Sequence, residues 1–163
     1  EVHVPEENCG NSNYTLKNIH KWIQGSDFDL IHLNCGLHDL RKDFDSDIPA
    51  VSPEAYAVNL GQILDILEND TDANLVWALT TPVNEELHHK NKPFDRFESD
   101  VLKYNNIASA VMKNRDIPIN DLYTAALSAD LEKILLQDGV HFTDNGYAEL
   151  GRGVAEYIRK QLR

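Results

Sequence analysis

The sequence predicts an α/β protein of three layers, α/β/α, with a mostly parallel sheet. Two observations lead to this prediction. Short, nearly continuous apolar runs alternate along the chain with longer segments whose apolar residues recur every three or four positions. The apolar runs lack the in-and-out alternation of a half-exposed strand, which is typical of parallel strands buried on both faces.

The first predicted elements are a helix and a strand. The segment YTLKNIHKWIQ, residues 14–24, has three apolar residues at helical spacing. They are Leu16, Ile19 and Ile23. We expect this helix to begin at Thr15. The segment FDLIHLN, residues 28–34, suits a short strand buried in the sheet.

A second helix is predicted after a polar loop over residues 43–52. In SPEAYAVNLGQILDILEN, residues 52–69, Ser52 suits the N-cap and Pro53 suits the first helical position. The apolar residues of this segment fall on one face of a helix. They are Tyr56, Leu60, Ile63, Leu64 and Leu67.

The rest of the chain continues the alternation. ANLVWALTTP, residues 73–82, is a second buried-strand pattern and leads into a polar loop predicted over residues 84–93. Residues 94–114 predict a helix, DIPIND at 116–121 a short strand, and residues 145–162 a closing helix. The closing helix has four apolar residues on one face. They are Tyr147, Leu150, Val154 and Ile158.

The N-terminus opens on EVHVPEENCG, in which Val2 to Val4 have the alternation expected at the end of a strand. We interpret residues 1–163 as a single domain that lacks an N-terminal piece, including the first strand of the sheet. Removing a central strand would leave strand edges unpaired, which is costly. A second chain or a dimer partner that supplies this strand is therefore an expected partner.

Composition and charge exclude several classes of partner. The formal net charge is −12, and Lys and Arg are not clustered, which argues against binding nucleic acid or an anionic membrane surface. No apolar run approaches the roughly 20 residues of a membrane span. The two cysteines, Cys9 and Cys35, form no CxxC motif, and two free thiols are favoured over a disulfide.

Polar segments follow the predicted strands, at the edge of an open α/β sheet where ligands bind. QDGVHFTDNG places Asp138 three residues before His141. A histidine can serve as the base of a hydrolase, and a carboxylate on its other ring nitrogen fixes its tautomer. The two residues can equally be a turn-forming acid and a surface imidazole, and their spacing alone favours that plainer interpretation.

Two further segments contain candidate oxyanion-binding and substrate-binding groups. In NCGLHDL, Asn34, Gly36 and His38 follow a predicted strand directly, and a donor there can stabilise an oxyanion. In ENCGNSNYT, Gly10 and Asn13 precede a predicted helix, whose N-terminus favours anions. The two segments can also be an ordinary turn and an ordinary helix cap.

Taken in order, the three segments resemble the characteristic blocks of the SGNH (GDSL-like) hydrolases, a family of serine esterases, lipases and carbohydrate deacetylases. DGVHFT with NGYAELG resembles the last block, NCGLHDL the third, written G-x-N-D, and ENCGNSNYT the second. The resemblance covers nearly the whole chain and implies a flavodoxin-like SGNH hydrolase fold. It also implies that His141 is the general base, that Asp138 orients it, and that the other two blocks supply oxyanion donors.

The sequence departs from the family pattern at three points. His38 stands where the family has Asn, and its N–H can still donate to an oxyanion. Asn13 stands where the second block usually has Gly, so that Gly10 is the other candidate donor. No GDS-type block, which holds the family's nucleophilic serine, occurs in the chain. The resemblance therefore implies a serine upstream of Glu1.

The resemblance implies a serine esterase that hydrolyses a carboxylic ester or a carbohydrate O-acetyl group without a metal or a cofactor. A catalytically degenerate domain of the same fold, which binds a ligand without turnover, is the main alternative. A metal-dependent hydrolase is a third hypothesis, with His38, Asp39, Asp138 and His141 as candidate ligands. The absence of an HxxxH or HExxH motif argues against it.

Overall fold

The computed structural model describes residues 1–162 and contains a parallel sheet of three strands. They are β1 (Leu30–Leu33), β2 (Asn74–Ala78) and β3 (Ile119–Asn120). The spatial order is β1-β2-β3, with Leu30 opposite Asn74 and Trp77 opposite Ile119. All three strands lie where the apolar runs predict them.

Seven helices accompany the sheet within the described residues. They are α1 (Ser12–Ile23), α2 (Pro53–Asp70), α3 (Glu85–Asn91), α4 (Glu98–Lys113), α5 (Leu122–Ser128), α6 (Leu131–Ile134) and α7 (Asp144–Gln161). Helix α2 contacts α1 and α4, whereas α7 contacts α5 and α6. Right-handed crossovers between neighbouring parallel strands place α2 and α4 on one face of the sheet, and helices also cover the other face. The three-layer α/β/α prediction is confirmed.

Helix α2 begins where its capping residues predict. The Ser52 hydroxyl accepts a hydrogen bond from the backbone N–H of Ala55 at 3.2 Å. Pro53 opens the helix, where no intrahelical donor is needed. The five apolar residues predicted on one face are all buried, at 1% exposure or less. They belong to one core that also contains Trp77 of β2 and Met112 of α4.

Helix α1 begins at Ser12, ahead of the predicted start. Asn11 is its N-cap, and the Asn11 side chain accepts a hydrogen bond from the N–H of Tyr14 at 3.0 Å. The prediction that this helix begins at Thr15 is therefore wrong, because the capping residue is an asparagine further upstream. The shift places Asn13 in the first turn of the helix.

The prediction of a polar loop over residues 84–93 is also wrong, because most of this segment forms helix α3. The Asn84 side chain caps this helix by accepting a hydrogen bond from the N–H of Leu87 at 3.0 Å. Glutamates occupy the first turn and basic residues the last, an arrangement that the helix dipole stabilises. Because α3 has only seven residues, it shows no apolar periodicity, and the short helices α5 and α6 escaped prediction for the same reason.

The segment from Val2 to Val4 forms no strand, contrary to the prediction. The two valines are 89% and 78% exposed, and they pair with no strand within residues 1–162. β1 is an edge strand of the described sheet, so one side of its backbone is unpaired. The apolar face predicted on α7 is only partly covered, with Tyr147 51% exposed.

Both cysteines are free thiols, as the sequence favours. Cys9 is half-buried, whereas Cys35 is buried, and burial raises the pKa of the Cys35 thiol well above its usual range. Among residues 1–162, none of the helices combines the length and the apolar character that crossing a membrane requires.

The α2 core generates a stability prediction. Leu64 is completely buried, whereas Val58, on the same helix, is 58% exposed. Leu64→Ala should lower the free energy of unfolding by about 2–5 kcal/mol, because it removes buried methyl groups and leaves a cavity. Val58→Ala should change it by less than about 0.5 kcal/mol. Urea denaturation of both variants is the measurement, and equal losses would contradict this packing of α2.

Candidate active site

The loop before α7 brings the Asp138 carboxylate and the His141 imidazole together. One carboxylate oxygen, Oδ2, lies 2.5 Å from Nδ1 of His141. The other oxygen, Oδ1, accepts the backbone N–H groups of Val140 and His141 at 3.2 and 3.0 Å. The carboxylate therefore orients the ring and favours the tautomer that carries its proton on Nδ1.

A neighbouring positive charge stabilises Asp138, and His141 is partly exposed. The Lys92 ammonium lies 3.2 Å from Oδ2 of Asp138. Burial alone would raise the pKa of Asp138, but hydrogen bonds from His141, Val140 and Lys92 outweigh it and hold that pKa well below its usual range. The His141 side chain is 57% exposed. Its Nε2 has no hydrogen-bond partner in residues 1–162, so the pair presents a free imidazole nitrogen.

Helix α3, which the sequence pattern did not reveal, holds the Asp138 loop. The backbone N–H of Asn84 donates to the Gly139 carbonyl at 2.8 Å, and the Asn91 side chain donates to the Gln137 carbonyl at 2.7 Å. Gly139 has a φ of +74°, and a Cβ there would lie only 2.5 Å from the Asn84 carbonyl oxygen. Glycine is required here because the loop lies directly against the start of α3.

The segment after β1 is shaped by close backbone contacts. Gly36 has a φ of +148°, and a Cβ there would lie 2.5 Å from the Thr80 hydroxyl oxygen. The Asn34 side chain donates to the carbonyl of Ala78, at the end of β2, at 2.6 Å. Asn34 and Gly36, both candidate binding residues from the sequence, thus hold the backbone that leads to His38.

Asp39 ties this segment to α1. Its side chain is fully buried, and Oδ1 accepts the backbone N–H of Ser12 at 2.9 Å. Burial raises the pKa of Asp39, although the hydrogen bonds from Ser12 oppose the rise. The Asn59 side chain adds a second connection, since it donates to Ser12 Oγ at 2.9 Å and to Asn13 Oδ1 at 2.8 Å. The Gly10–Asn13 and Asn34–Asp39 segments therefore form one connected unit.

An open groove of about 810 Å³ lies beside this unit. Its walls include Gly10, Asn11, His38 and Arg41. Burial lowers the pKa of His38, and the positive charges of Arg96 and Arg41 lower it further. His38 is therefore neutral at pH 7 and carries one N–H donor. The charge of His141 adds a smaller lowering of the pKa of His38.

The candidate donors Gly10 and Asn13 have different surroundings. The N–H of Gly10 donates to the Asn8 side chain at 2.8 Å, and its φ of +60° suits glycine. Oδ1 of Asn13 accepts a hydrogen bond from Asn59 Nδ2 at 2.8 Å, so the donors that Asn13 can offer are its side-chain Nδ2 and its backbone N–H in the first turn of α1. Asn11, which is not among the predicted oxyanion donors, caps α1 and lines the groove.

A cationic cluster that the sequence did not reveal adjoins His38. Arg96 is only 5% exposed, and its Nε donates to the Leu37 carbonyl at 2.7 Å. The guanidinium carbons of Arg41 and Arg96 lie 4.1 and 4.9 Å from the centre of the Phe94 ring. Burial lowers the pKa of Arg96 to about 10, so that it remains charged at pH 7. No short motif marks this cluster in the sequence.

The four candidate ligands of the metal hypothesis do not form a ligand set. Within residues 1–162, no group of three or more His, Cys, Asp or Glu side chains is placed to hold a metal ion. Asp138 is engaged by His141 and Lys92, whereas Asp39 is buried against Ser12.

No protein-family model and no curated protein sequence matches the chain, whereas many solved structures share its fold. A lipase/acylhydrolase from Enterococcus faecalis is similar with a TM-score of 0.73 and 19% identity, over 94% of this chain and 72% of that protein. A GDSL-like lipase from Bacteroides thetaiotaomicron is similar with a TM-score of 0.73 and 17% identity, over 93% of this chain and 72% of that protein. An acetyl xylan esterase is similar with a TM-score of 0.74 and 15% identity, over 93% of this chain and 78% of that protein. The fold is that of the SGNH (GDSL-like) hydrolases.

The SGNH-like fold explains why distant segments of the chain meet. His38 follows the carboxyl end of β1, and α3, which is hydrogen-bonded to the Asp138 loop, follows the carboxyl end of β2. Open α/β sheets bind their ligands at this edge. The groove and the N-terminus of α1 border His38 at this edge, and α3 contacts the Asp138 loop.

The contact between Gly139 and α3 generates a prediction with a matched control. Gly25 has nearly the same φ, +72°, but no atom lies within 4 Å of a Cβ built there. Gly25→Ala should lower the free energy of unfolding by about 1–2 kcal/mol through backbone strain alone. Gly139→Ala should lower it by about 1–3 kcal/mol more, because its methyl group collides with α3. Chemical denaturation measures both, and equal losses would show that α3 does not press on this loop.

Proposed function

We propose that this chain carries the acid–base half of a serine esterase, which hydrolyses a carboxylic ester or a carbohydrate O-acetyl group. The observation that carries the proposal is the Asp138–His141 pair, in which Nδ1 lies 2.5 Å from a carboxylate and Nε2 is free. A base held in this arrangement can activate a serine nucleophile. The similar solved structures include a lipase/acylhydrolase and an acetyl xylan esterase, which supports ester substrates.

In the proposed reaction, Nε2 of His141 takes the proton of a serine hydroxyl while the serine oxygen attacks the ester carbonyl carbon. Asp138 remains ionised and stabilises the imidazolium that forms. The tetrahedral intermediate then expels the alcohol, which takes the proton from His141, and an acyl-enzyme remains. A water molecule that His141 deprotonates releases the acid and restores the serine.

The oxyanion of the tetrahedral intermediate needs donors that are already in place. Neutral His38 supplies an N–H at the wall of the groove. The N-terminus of α1, beside Gly10 and Asn13, adds backbone N–H groups and the positive end of the helix dipole. These groups support the groove as the substrate site.

The nucleophilic serine is proposed to come from outside these 163 residues. Within residues 1–162, no serine hydroxyl is hydrogen-bonded to His141. The unpaired edge of β1 leaves room for a further strand beside it. Such a strand can come from the same polypeptide or from a partner chain, and it would place its connecting loop at the carboxyl edge.

A catalytically degenerate domain is the second candidate function. The observation that favours it is the same lack of a serine beside His141 within the described residues. Such a domain would use the groove to bind an ester or a carbohydrate without turnover.

Covalent labelling separates the two functions. The protein produced from its complete coding sequence is treated with a fluorophosphonate probe, and the labelled peptide is identified by mass spectrometry. The proposal expects a label on a serine outside residues 1–163. A label on a serine within them would overturn the assignment of the nucleophile but keep the hydrolase. An unlabelled, folded protein would favour the degenerate binding domain.

The role of His141 has a matched control in the same chain. His20 is 64% exposed, and its Nδ1 lies 2.9 Å from Oδ2 of Asp70, away from the groove. His141→Ala should lower kcat for 4-nitrophenyl acetate by about 10³-fold or more, because the general base is lost. His20→Ala should leave kcat unchanged. Near-normal turnover by His141→Ala would rule out His141 as the base.

His38 gives a separate prediction about the oxyanion site. His38→Ala should lower kcat by about 10²- to 10³-fold with little change in KM, because one oxyanion donor is lost. His38→Asn should recover most of the rate, since an amide N–H replaces the imidazole N–H. Steady-state kinetics at pH 7 are the measurement. If alanine and asparagine behave alike, His38 does not donate to the oxyanion.

A further inference from the structure

His88 is a fully buried titratable group near the proposed site, although its sequence context, beside His89 and two glutamates, is that of a solvated loop. Its exposure is 0%. Nδ1 lies 2.9 Å from the backbone carbonyl oxygen of Asp138. Because a carbonyl only accepts, Nδ1 carries the proton. Nε2 is therefore an acceptor, and it is occluded without a partner in residues 1–162.

The surroundings of His88 favour its neutral form. The ring packs edge-on against Phe94, with centres 5.3 Å apart. The charged groups that face it are the cations Arg96 and Lys92 and the carboxylate of Asp138. Burial lowers the pKa of His88, and the two cations lower it further, while the hydrogen bond to Asp138 opposes them. The neutral imidazole with its proton on Nδ1 is thus the form that fits this pocket.

His88 contacts the backbone of Asp138, the residue that orients the proposed base His141. The Gln137 and Gly139 carbonyls are held by Asn91 and Asn84, but the Asp138 carbonyl is held by His88. The Asp138 carboxylate branches from the same residue, so fixing this peptide fixes the direction of the carboxylate. His88 touches neither the groove nor His141.

We propose that His88 is a positioning residue: its Nδ1–H holds the Asp138 peptide so that the carboxylate meets Nδ1 of His141. The catalytic consequence rests on the proposed function. The positioning itself concerns the folded protein and can be measured without turnover.

The proposal has a consequence for pH dependence. Protonation would put a proton on Nε2, which has no acceptor, beside Arg96 and Lys92. The pKa of His88 is lower in the folded protein than the ordinary 6.5. The unfolded chain therefore binds more protons in this range, so the contribution of His88 to stability is complete above pH 6.5 and is lost as pH falls through the folded-state pKa.

Two variants separate the hydrogen bond from the packing. His88→Phe keeps an aromatic ring against Phe94 but has no donor for the Asp138 carbonyl. His88→Asn restores an N–H close to the position of Nδ1 and does not titrate. His89→Asn is the control, because His89 is the adjacent residue of α3, its side chain is 65% exposed, and it pairs with Asp95 at 2.7 Å.

The decisive readout is the titration of the Asp138 carboxyl carbon by NMR. In His88→Phe the pKa of Asp138 should rise toward its usual range, because the carboxylate loses its alignment with its donors. In the esterase assay, kcat should fall about tenfold or more with KM nearly unchanged. His88→Asn should keep the low pKa of Asp138 and most of kcat, and His89→Asn should behave as wild type.

Two results would overturn the proposal. One is a folded His88→Phe variant whose Asp138 titrates as in wild type. The other is a His88→Asn variant that resembles His88→Phe. If His88→Phe does not fold, His88→Asn decides alone: it should keep the low pKa of Asp138 and lose the destabilisation that His88 causes below pH 6.5. A wild-type protein without turnover would end the esterase proposal, yet the Asp138 titrations would still decide the role of His88.

Discussion

The proposed chemistry depends on a single carboxylate, that of Asp138, staying ionised and correctly directed. Three hydrogen bonds from its own turn and the ammonium of Lys92 outweigh the cost of its burial. Two of these hydrogen bonds come from backbone N–H groups, so the carboxylate cannot turn away unless the turn itself opens. The turn rests on α3 through Gly139, where no side chain fits. The direction of the acid is therefore set by a helix about fifty residues earlier in the chain.

Charge is distributed unevenly in this acidic protein. The chain as a whole has a formal net charge of −12, yet Arg41, Arg96 and Lys92 all lie near the proposed site. Their positive charge, added to burial, keeps His38 and His88 neutral. A neutral imidazole donates one N–H in a fixed direction, which suits both an oxyanion donor and a peptide anchor. Arg41 and Arg96 are themselves stabilised by stacking on Phe94.

The sequence predicts what is local and misses what is distant. Ser52 and Pro53 predict the start of α2 because capping is decided within one turn, and the apolar runs locate all three strands. The Asp138–His141 contact is likewise local, since three residues separate the partners. Helix α3 is too short for periodicity to reveal it. The contacts of His88 with Asp138 and of Asp39 with Ser12 span 50 and 27 residues, and no spacing rule joins such partners.

The proposed serine and the edge of β1 can be related through the topology of the sheet. β1 has an unpaired edge within the described sheet, and unpaired strand edges are unfavourable in water. The carboxyl end of β1 leads to His38, which lines the groove, so a strand added in parallel beside β1 would end next to the groove. In the proposed reaction, one added strand would pair this edge, and the loop that follows the strand would carry the serine that Nε2 of His141 deprotonates.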